Sequence, residues 1–240
     1  NVSVDGGTIK LDGNYPVGSN NVALGDGALD ASLTGASNTA IGSYSLTNNT
    51  SGASNTGLGF AALGDTTTGS FNTALGTSAL ENNTTASYNT AVGYNAGTAV
   101  TTGINNTLIG GLAGDALTVG SVNIAIGKQA LTGDTKGSNS VAIGFQALEA
   151  QNFTTATDAY NVAVGSKAGE SVTTGIYNTL IGGLAGDALT DADYNVAIGG
   201  NALGANTVGS RSVAVGYGAL TSHNPATAGD TYNTAVGMLA

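Results

Sequence analysis

A five-residue pattern of polar and apolar residues recurs along most of the chain. A polar residue, usually Asn, is followed by a β-branched residue, usually by Ala, by Leu, Ile or Val, and finally by Gly, as in Asn21 to Gly25. The copies begin at residues 21, 38, 55, 72, 89, 106, 123, 140, 161, 178, 195, 212 and 233, so the spacing is 17 residues except at two intervals of 21. A short fixed period is typical of a solenoid, in which each repeat forms one coil that stacks on the next.

The alternation within the pattern predicts one short β-strand in each coil. With the Asn numbered as position zero, position one is Val, Thr or Ile and position three is Leu, Ile or Val in all 13 coils. Because side chains of a strand alternate between its two faces, we expect positions one and three to fill the core. Positions zero and two, mostly Asn and Ala, are then expected to form a narrow outer face.

Position four is Gly in every coil, which predicts a corner directly after the strand. A fixed Gly indicates a backbone that needs positive φ or that a neighbouring segment approaches closely. The predicted structural corner glycines are Gly25, Gly42, Gly59, Gly76, Gly93, Gly110, Gly127, Gly144, Gly165, Gly182, Gly199, Gly216 and Gly237.

A second apolar segment follows the corner and predicts a second short strand that shares the interior. Position seven is Ala in 12 coils, and position eight is Leu in eight coils and Gly in four. Position 11 compensates, because it is Val or Leu in the Gly coils, as at Val100 and Leu117, and polar in the Leu coils. Such an exchange keeps the core volume of each coil nearly constant, as close packing requires.

The repeat defines two regions of the chain. Residues 1–20 lie outside the period and read as lead-in strands or a cap, and residues 21–240 form a β-solenoid of 13 coils, the last one incomplete. Four extra residues enter after Leu148 and after Leu220, which enlarges one loop in each of two coils. These positions are 72 residues apart, the length of a duplicated four-coil block. We expect the chain to be part of a longer protein.

Composition excludes several classes of partner. The net charge is −10, and the five basic residues are scattered rather than clustered as phosphate binding requires, so we expect no nucleic acid. There is no Cys, hence no disulfide framework, and no apolar run approaches the roughly 20 residues of a membrane-spanning helix. We expect no membrane insertion of this segment.

The repeat resembles the head repeat of trimeric autotransporter adhesins of the YadA type. Ser140-Val141-Ala142-Ile143-Gly144 matches the motif of that family, and Ser212-Val213-Ala214-Val215-Gly216 nearly does. The resemblance covers residues 21–240 and implies an all-β, left-handed parallel β-roll that associates as a trimer. Similar repeats occur in bacteriophage tail fibres, which the lead-in from Gly6 to Pro16 resembles most.

A parallel homotrimer, intertwined or side by side, is also expected on physical grounds. A single thin roll has little core per residue, and small cores gain stability by oligomerising. An outer face of Asn, Ala and Gly would allow close approach of neighbouring rolls around a symmetry axis. Self-association is therefore the first partner that the sequence predicts.

Aromatic residues and one histidine are the candidate contact residues. The aromatics directly precede position zero in six coils, where they either contact a receptor or glycan or brace neighbouring subunits. The candidates are Phe71, Tyr88, Tyr160, Tyr177, Tyr194, Tyr232 and His223. The Asn residues at position zero are expected to form a hydrogen-bonded ladder along the fibre. No catalytic, cofactor-binding or metal-binding motif is present, and a Ca²⁺ site at Asp115 and Asp187 lacks the spacing of a known loop.

We expect a structural fibre protein rather than an enzyme. The leading interpretation is part of a phage tail fibre that attaches to the bacterial host surface, with a cell-surface glycan or protein as receptor and other virion or fibre proteins as partners. The alternatives are the head of a bacterial trimeric autotransporter-type adhesin at the cell surface and a self-assembling extracellular filament. No cofactor is expected in any of them.

Overall fold

A computed structural model describes residues 19–31 and 34–240. The lead-in strands expected over residues 1–20 therefore fall almost entirely outside the described residues. Each of the 13 coils contributes one three-residue strand, and two-residue strands occur only beside the enlarged loops. The strands are β1 (Val22–Leu24), β2 (Thr39–Ile41), β3 (Thr56–Leu58), β4 (Thr73–Leu75), β5 (Thr90–Val92), β6 (Thr107–Ile109), β7 (Ile124–Ile126), β8 (Gly137–Ser138), β9 (Val141–Ile143), β10 (Thr157–Asp158), β11 (Val162–Val164), β12 (Thr179–Ile181), β13 (Val196–Ile198), β14 (Gly209–Ser210), β15 (Val213–Val215), β16 (Gly229–Asp230) and β17 (Thr234–Val236).

The long strands form one 13-stranded parallel sheet in which each strand pairs with the strand of the next coil. The register follows the sequence period, so that Val22 lies beside Thr39 and Ala23 beside Ala40. The 21-residue intervals do not disturb it, because Val141 still lies beside Val162. The predicted parallel β-solenoid of 13 coils is confirmed.

The strand faces the opposite way from the prediction. Ala40 and Ala142 at position two are fully buried, as is Asn38 at position zero, whereas Val22 and Leu24 at positions one and three are 51% and 40% exposed. The prediction that positions one and three fill the core, with Asn and Ala outside, is therefore wrong. The interior is a narrow layer between strand and turn, which accepts a methyl group from the strand and a Leu from the turn.

The Leu–Gly exchange shows how narrow this interior is. At position two Leu108 replaces Ala, and it fills the space at Gly97 and Gly114, where an added Cβ would lie 2.5 Å and 2.8 Å from its methyl carbons. Val100 occupies the remaining space, 3.4 Å from the same position on Gly97. The predicted constancy of core volume is confirmed, and the position-two residue takes part in it.

The segment after the corner is a turn, so the predicted second strand is wrong. Positions six and eight adopt left-handed backbone conformations, as at Tyr44 (φ 59°) and Leu46 (φ 51°). Leu46 is nonetheless fully buried, and its N–H donates to the carbonyl of Ala62 in the next coil at 3.0 Å. Hydrogen bonds between stacked turns therefore replace those of a second sheet.

The corner glycines behave as predicted. Gly110 has φ 135°, and a Cβ there would lie 2.5 Å from the carbonyl oxygen of Gly127 in the next coil. Both the positive φ and the close approach exclude a side chain. The same geometry in successive coils stacks the corners in a straight column.

Candidate recognition surfaces

The outward side of the long sheet is the largest apolar surface of the molecule. We call the side chains at positions one and three of the 13 long strands the strand face. Its position-three column consists only of Leu, Ile and Val, and Leu58, Leu75 and Ile181 are about two-fifths exposed. Monomeric soluble proteins seldom leave such continuous apolar stripes uncovered.

Charge is segregated away from the strand face. No Asp, Glu, Lys or Arg occurs at position one or three of any coil. Acids instead recur at position nine, after the turn, as at Glu81, Asp115, Glu149, Glu170 and Asp187. An uncharged apolar side and a charged opposite side are the features expected when one side is covered and the other faces water.

The position-zero residues form the predicted ladder, but inside the roll. The N–H of Asn55 donates to Oδ1 of Asn38 at 2.9 Å, and Nδ2 of Asn38 donates to the carbonyl of Gly52 in its own coil at 2.9 Å. Each amide thus joins its own return turn to the next coil. The structural interpretation of the Asn residues is confirmed, and their burial removes them from any recognition surface.

Ser140 interrupts this ladder, and a buried glutamine repairs it. Gln151 occupies position 11 of the same coil, where its Nε2 donates to Ser140 Oγ at 3.0 Å and to Asp134 Oδ2 at 2.7 Å. Its Oε1 accepts from Asn161 Nδ2 at 2.8 Å. The extra residues of the loop lie after Gln151, and its aromatic residue, Phe153, is buried against the roll. The first enlarged loop is therefore anchored by its own side chains.

His223 takes the equivalent place in the second enlarged loop. Its Nε2 lies 3.1 Å from Nδ2 of Asn233, which corresponds to Gln151 and Asn161 one block earlier. Because an amide nitrogen can only donate, Nε2 is the acceptor in this contact. The histidine thus helps to hold the coil, and the structure assigns it no second ring or carboxylate partner among the described residues.

The residues directly before position zero form what we call the pre-strand column, at the corner where each strand begins. Its aromatic members stack along the fibre: Tyr160, Tyr177 and Tyr194 have centroids 5.1 Å apart, and Phe71 and Tyr88 lie 5.0 Å apart. The rings are 43–58% exposed, mainly at their edges. Since neighbouring rings cover their faces, stacking of a sugar is possible only at the ends of each run.

Arg211 ends the longer aromatic run. Its guanidinium lies 4.6 Å from the centroid of Tyr194, and its Nε pairs with Asp230 of the second enlarged loop at 2.9 Å. The Tyr232 hydroxyl donates to the same carboxylate at 2.9 Å, and this hydrogen bond raises the pKa of the tyrosine above its ordinary value. The structure therefore brings Tyr160, Tyr177 and Tyr194 together, and Arg211 links this run to the loop and Tyr232.

The equivalent acids Asp115 and Asp187 have different surroundings. Asp115 accepts a hydrogen bond from the Thr132 hydroxyl, whereas one buried oxygen of Asp187 has no partner. Gly204 occupies the place of that threonine in the second block. Burial raises the pKa of Asp187, and nearby Glu170 adds to the effect. This environment disfavours the carboxylate and provides no second ligand for a cation.

Two further kinds of site were searched for within residues 19–31 and 34–240. No group of three or more His, Asp or Glu side chains is arranged to hold a metal ion there. The same residues include no helix with the length and apolar character needed to cross a membrane. The strand face and the pre-strand column are thus the surfaces on which a functional argument can be built.

Sequence reasoning found the pre-strand column but missed the strand face. The signal for it was the coupling between position two and position eight, since Leu108 and Leu180 occur only in coils with Gly at position eight. That coupling places position two, rather than positions one and three, in the interior. Comparison of the chain with protein-family models, curated proteins and solved structures gives no match.

Proposed function

We propose that the chain is a non-catalytic segment of a parallel trimeric fibre in which the strand faces of three copies pack around a common axis. The observation that carries the proposal is the uncharged apolar column running along all 13 strands. Covering it removes aliphatic surface from water, which is the main favourable term in protein association. The charged turns then remain on the outside.

The dimensions of the strand face fit such an interface. Twelve steps of about 4.8 Å and a strand of three residues give a strip roughly 60 Å long and 10 Å wide. Its area of roughly 600 Å² approaches the share of about 800 Å² per partner in a stable interface. The exposed rings of the pre-strand column, beside this strip, supply additional area.

The contact surface differs from the one that the sequence suggested. Small Asn, Ala and Gly side chains were expected between the subunits, but Asn and Ala are buried within each roll. The proposed trimer therefore rests on packing of Leu, Ile and Val side chains rather than on close approach of small residues.

Substitutions within the strand face test the trimer. Ile109→Asp and Ile181→Asp place charges in the proposed interface, so we expect the mass in solution to fall from trimer to monomer. Thr85→Asp and Thr174→Asp are matched controls, because both residues are exposed on the return turns. They should remain trimeric. A trimer that tolerates both Ile variants would contradict the proposed interface.

Within this proposal, the fibre is part of a phage tail and attaches the virion to a bacterial surface. A rigid acidic rod suits extension away from a particle, and the resemblance of the repeats to tail-fibre sequences supports the assignment. The receptor is a cell-surface glycan or protein, met by the exposed aromatic edges and the tips of the enlarged loops. Other fibre proteins would hold the rod in the virion.

Electron microscopy with a labelled antibody against the chain tests this location. Label on tail fibres of phage particles supports the proposal, whereas label on bacterial cells supports an adhesin of the resembling family and label along free filaments supports an extracellular filament. In parallel, purified trimer should compete with the virion for adsorption to host cells, and the Ile109→Asp variant should compete more weakly. Adsorption unaffected by excess trimer would contradict a receptor-binding role.

A further inference from the structure

The repetitive strand face does not define how packed copies are aligned along the fibre. Every coil offers the same types of side chain at positions one and three, at a rise of about 4.8 Å. Copies displaced by one coil would keep 12 of the 13 strands in contact, with nearly the same chemistry. Repetitive strands are prone to such slippage unless another feature opposes it.

The pre-strand column breaks this repetition beside the strand face. Aromatic rings occupy it at two separated runs, one of two and one of three residues, while small or polar residues such as Ser54, Asn105 and Asn139 occupy it elsewhere. In aligned copies, rings lie level with rings. A displacement of one coil brings Tyr160 level with Asn139 and Tyr194 level with Arg211.

Comparison of the duplicated blocks sharpens this point. Residues 104–118 and 176–190 are identical at every position except one, where Asn105 in the first copy corresponds to Tyr177 in the second. That single difference lies in the pre-strand column. The next two members of the column also differ, since Val122 corresponds to Tyr194 and Asn139 to Arg211. The column therefore also distinguishes copies that are displaced by a whole block.

We infer that the pre-strand column determines the axial register of the copies, with Tyr177, Tyr194 and Arg211 as its specificity-determining residues. This inference rests on the proposed trimer. A few non-repetitive residues beside a repetitive apolar seam are sufficient to select one register, as buried polar residues do in coiled coils. The rings are suited to this task because they are exposed yet fixed by stacking, so their contacts cost little conformational entropy.

The decisive variant gives the second block the column of the first. Tyr177→Asn, Tyr194→Val and Arg211→Asn together install the residues that occur at the equivalent positions 105, 122 and 139. The altered side chains are all exposed, and the fold already accommodates their replacements in the first block. Tyr94→Ser is the matched control, because Tyr94 is an exposed ring at the other corner of the strand and its equivalent in the next block is Ser166.

Spin labels report the register directly. The chain has no cysteine, so Thr68→Cys and Thr174→Cys each create a single labelling site on an exposed return turn, six coils apart. Chains labelled at one site are unfolded, mixed and refolded with chains labelled at the other. Aligned copies separate the labels by roughly 29 Å along the axis, and each coil of displacement changes this by about 5 Å.

We expect one distance peak for the otherwise unsubstituted chain and for Tyr94→Ser. In the triple variant the displaced population should rise about tenfold and appear as flanking peaks, because the aromatic contacts that oppose it are lost. A single unshifted peak in the triple variant, with trimer mass retained, would overturn the inference alone. A monomeric mass for the unsubstituted chain would instead overturn the proposed trimer, and equal flanking peaks in Tyr94→Ser would show that the pre-strand column has no special role.

Discussion

Residues 89–160 and 161–232 are two copies of one four-coil block, and the contrast between them separates what the fold requires from what it tolerates. The first block repairs its ladder with Gln151 and satisfies Asp115 with Thr132. The second has His223 in the place of Gln151 and leaves an oxygen of Asp187 unpaired. Corner glycines and buried alanines are common to both. Backbone geometry is therefore the requirement, while polar partners vary.

The largest expected effect concerns a feature that both blocks share. Gly110→Ala and Gly182→Ala introduce a Cβ within 2.7 Å of backbone atoms of the next coil, at φ 135° and 132°. We expect each to lower the free energy of unfolding by about 3 kcal/mol or more, and by similar amounts in the two blocks. Chemical denaturation at one fixed protein concentration measures this.

The neighbouring glycines provide the control for that prediction. A Cβ at Gly111 has no atom closer than 4.0 Å, and one at Gly183 none closer than 3.8 Å, at backbone conformations open to other residues. Alanine at either position should therefore be nearly neutral. Equal losses at Gly110 and Gly111 would mean that the corner geometry is not the cause.

The second effect should separate the blocks. Gln151→Ala leaves Asp134, Ser140 and Asn161 without their partners in a dry interior, and we expect a loss of about 2–4 kcal/mol in the free energy of unfolding. His223→Ala should cost about 1 kcal/mol, because its single contact is only partly buried. Hydrogen exchange of the two coils would localise each change. A larger loss for His223→Ala would reverse the proposed order.

A smaller effect is expected at the end of the aromatic run. Arg211→Asn removes the contact with Tyr194 and the ion pair with Asp230, and gives the second block the Asn that pairs with Asp158 in the first at 2.9 Å. Since these groups are largely exposed, we expect a change of about 0.5 kcal/mol in stability, reduced by salt. Thermal unfolding at low and high ionic strength measures it, and a salt-independent loss would argue against the electrostatic cause.

The smallest effect depends on pH and has opposite signs in the two blocks. Burial raises the folded-state pKa of Asp187 above 3.8, so its carboxylate opposes folding at neutral pH, and this cost disappears as the pH falls through the raised pKa. Asp187→Asn should therefore raise the melting temperature slightly at pH 7, by a few tenths of a kcal/mol after solvent screening, and give no gain below about pH 4. Asp115→Asn should lower it at pH 7, because Thr132 loses a charged acceptor. The same sign for both variants would contradict the assigned roles of Thr132 and Gly204.

The period, the corners and the volume exchange could be predicted because the backbone constrains them strongly. Gly at position four has no alternative, since any Cβ would strike the next coil. The paired changes at positions eight and 11 followed from close packing, and Leu108 filling the space at Gly97 confirms their shared interior. Such features depend on volume and φ, which the residue types reveal directly.

The facing of the strand could not be predicted by assigning the larger apolar residues to the core. That rule assumes an interior thick enough for branched side chains, whereas this roll accepts little beyond Ala from its strand. The turn after the corner was also missed, because Tyr44, Leu46 and Gln129 adopt positive φ without belonging to the types that favour it. Hydrogen bonds between coils, which the local sequence does not encode, stabilise those conformations.

The mass of the chain in solution tests the central claim most directly. Light scattering on the unsubstituted protein over a range of concentrations should give about 69 kDa, three times the 23.1 kDa of one chain, if the strand faces of three copies are packed together. A mass that stays at 23.1 kDa at every concentration would contradict the account, because the strand face would then remain exposed to water.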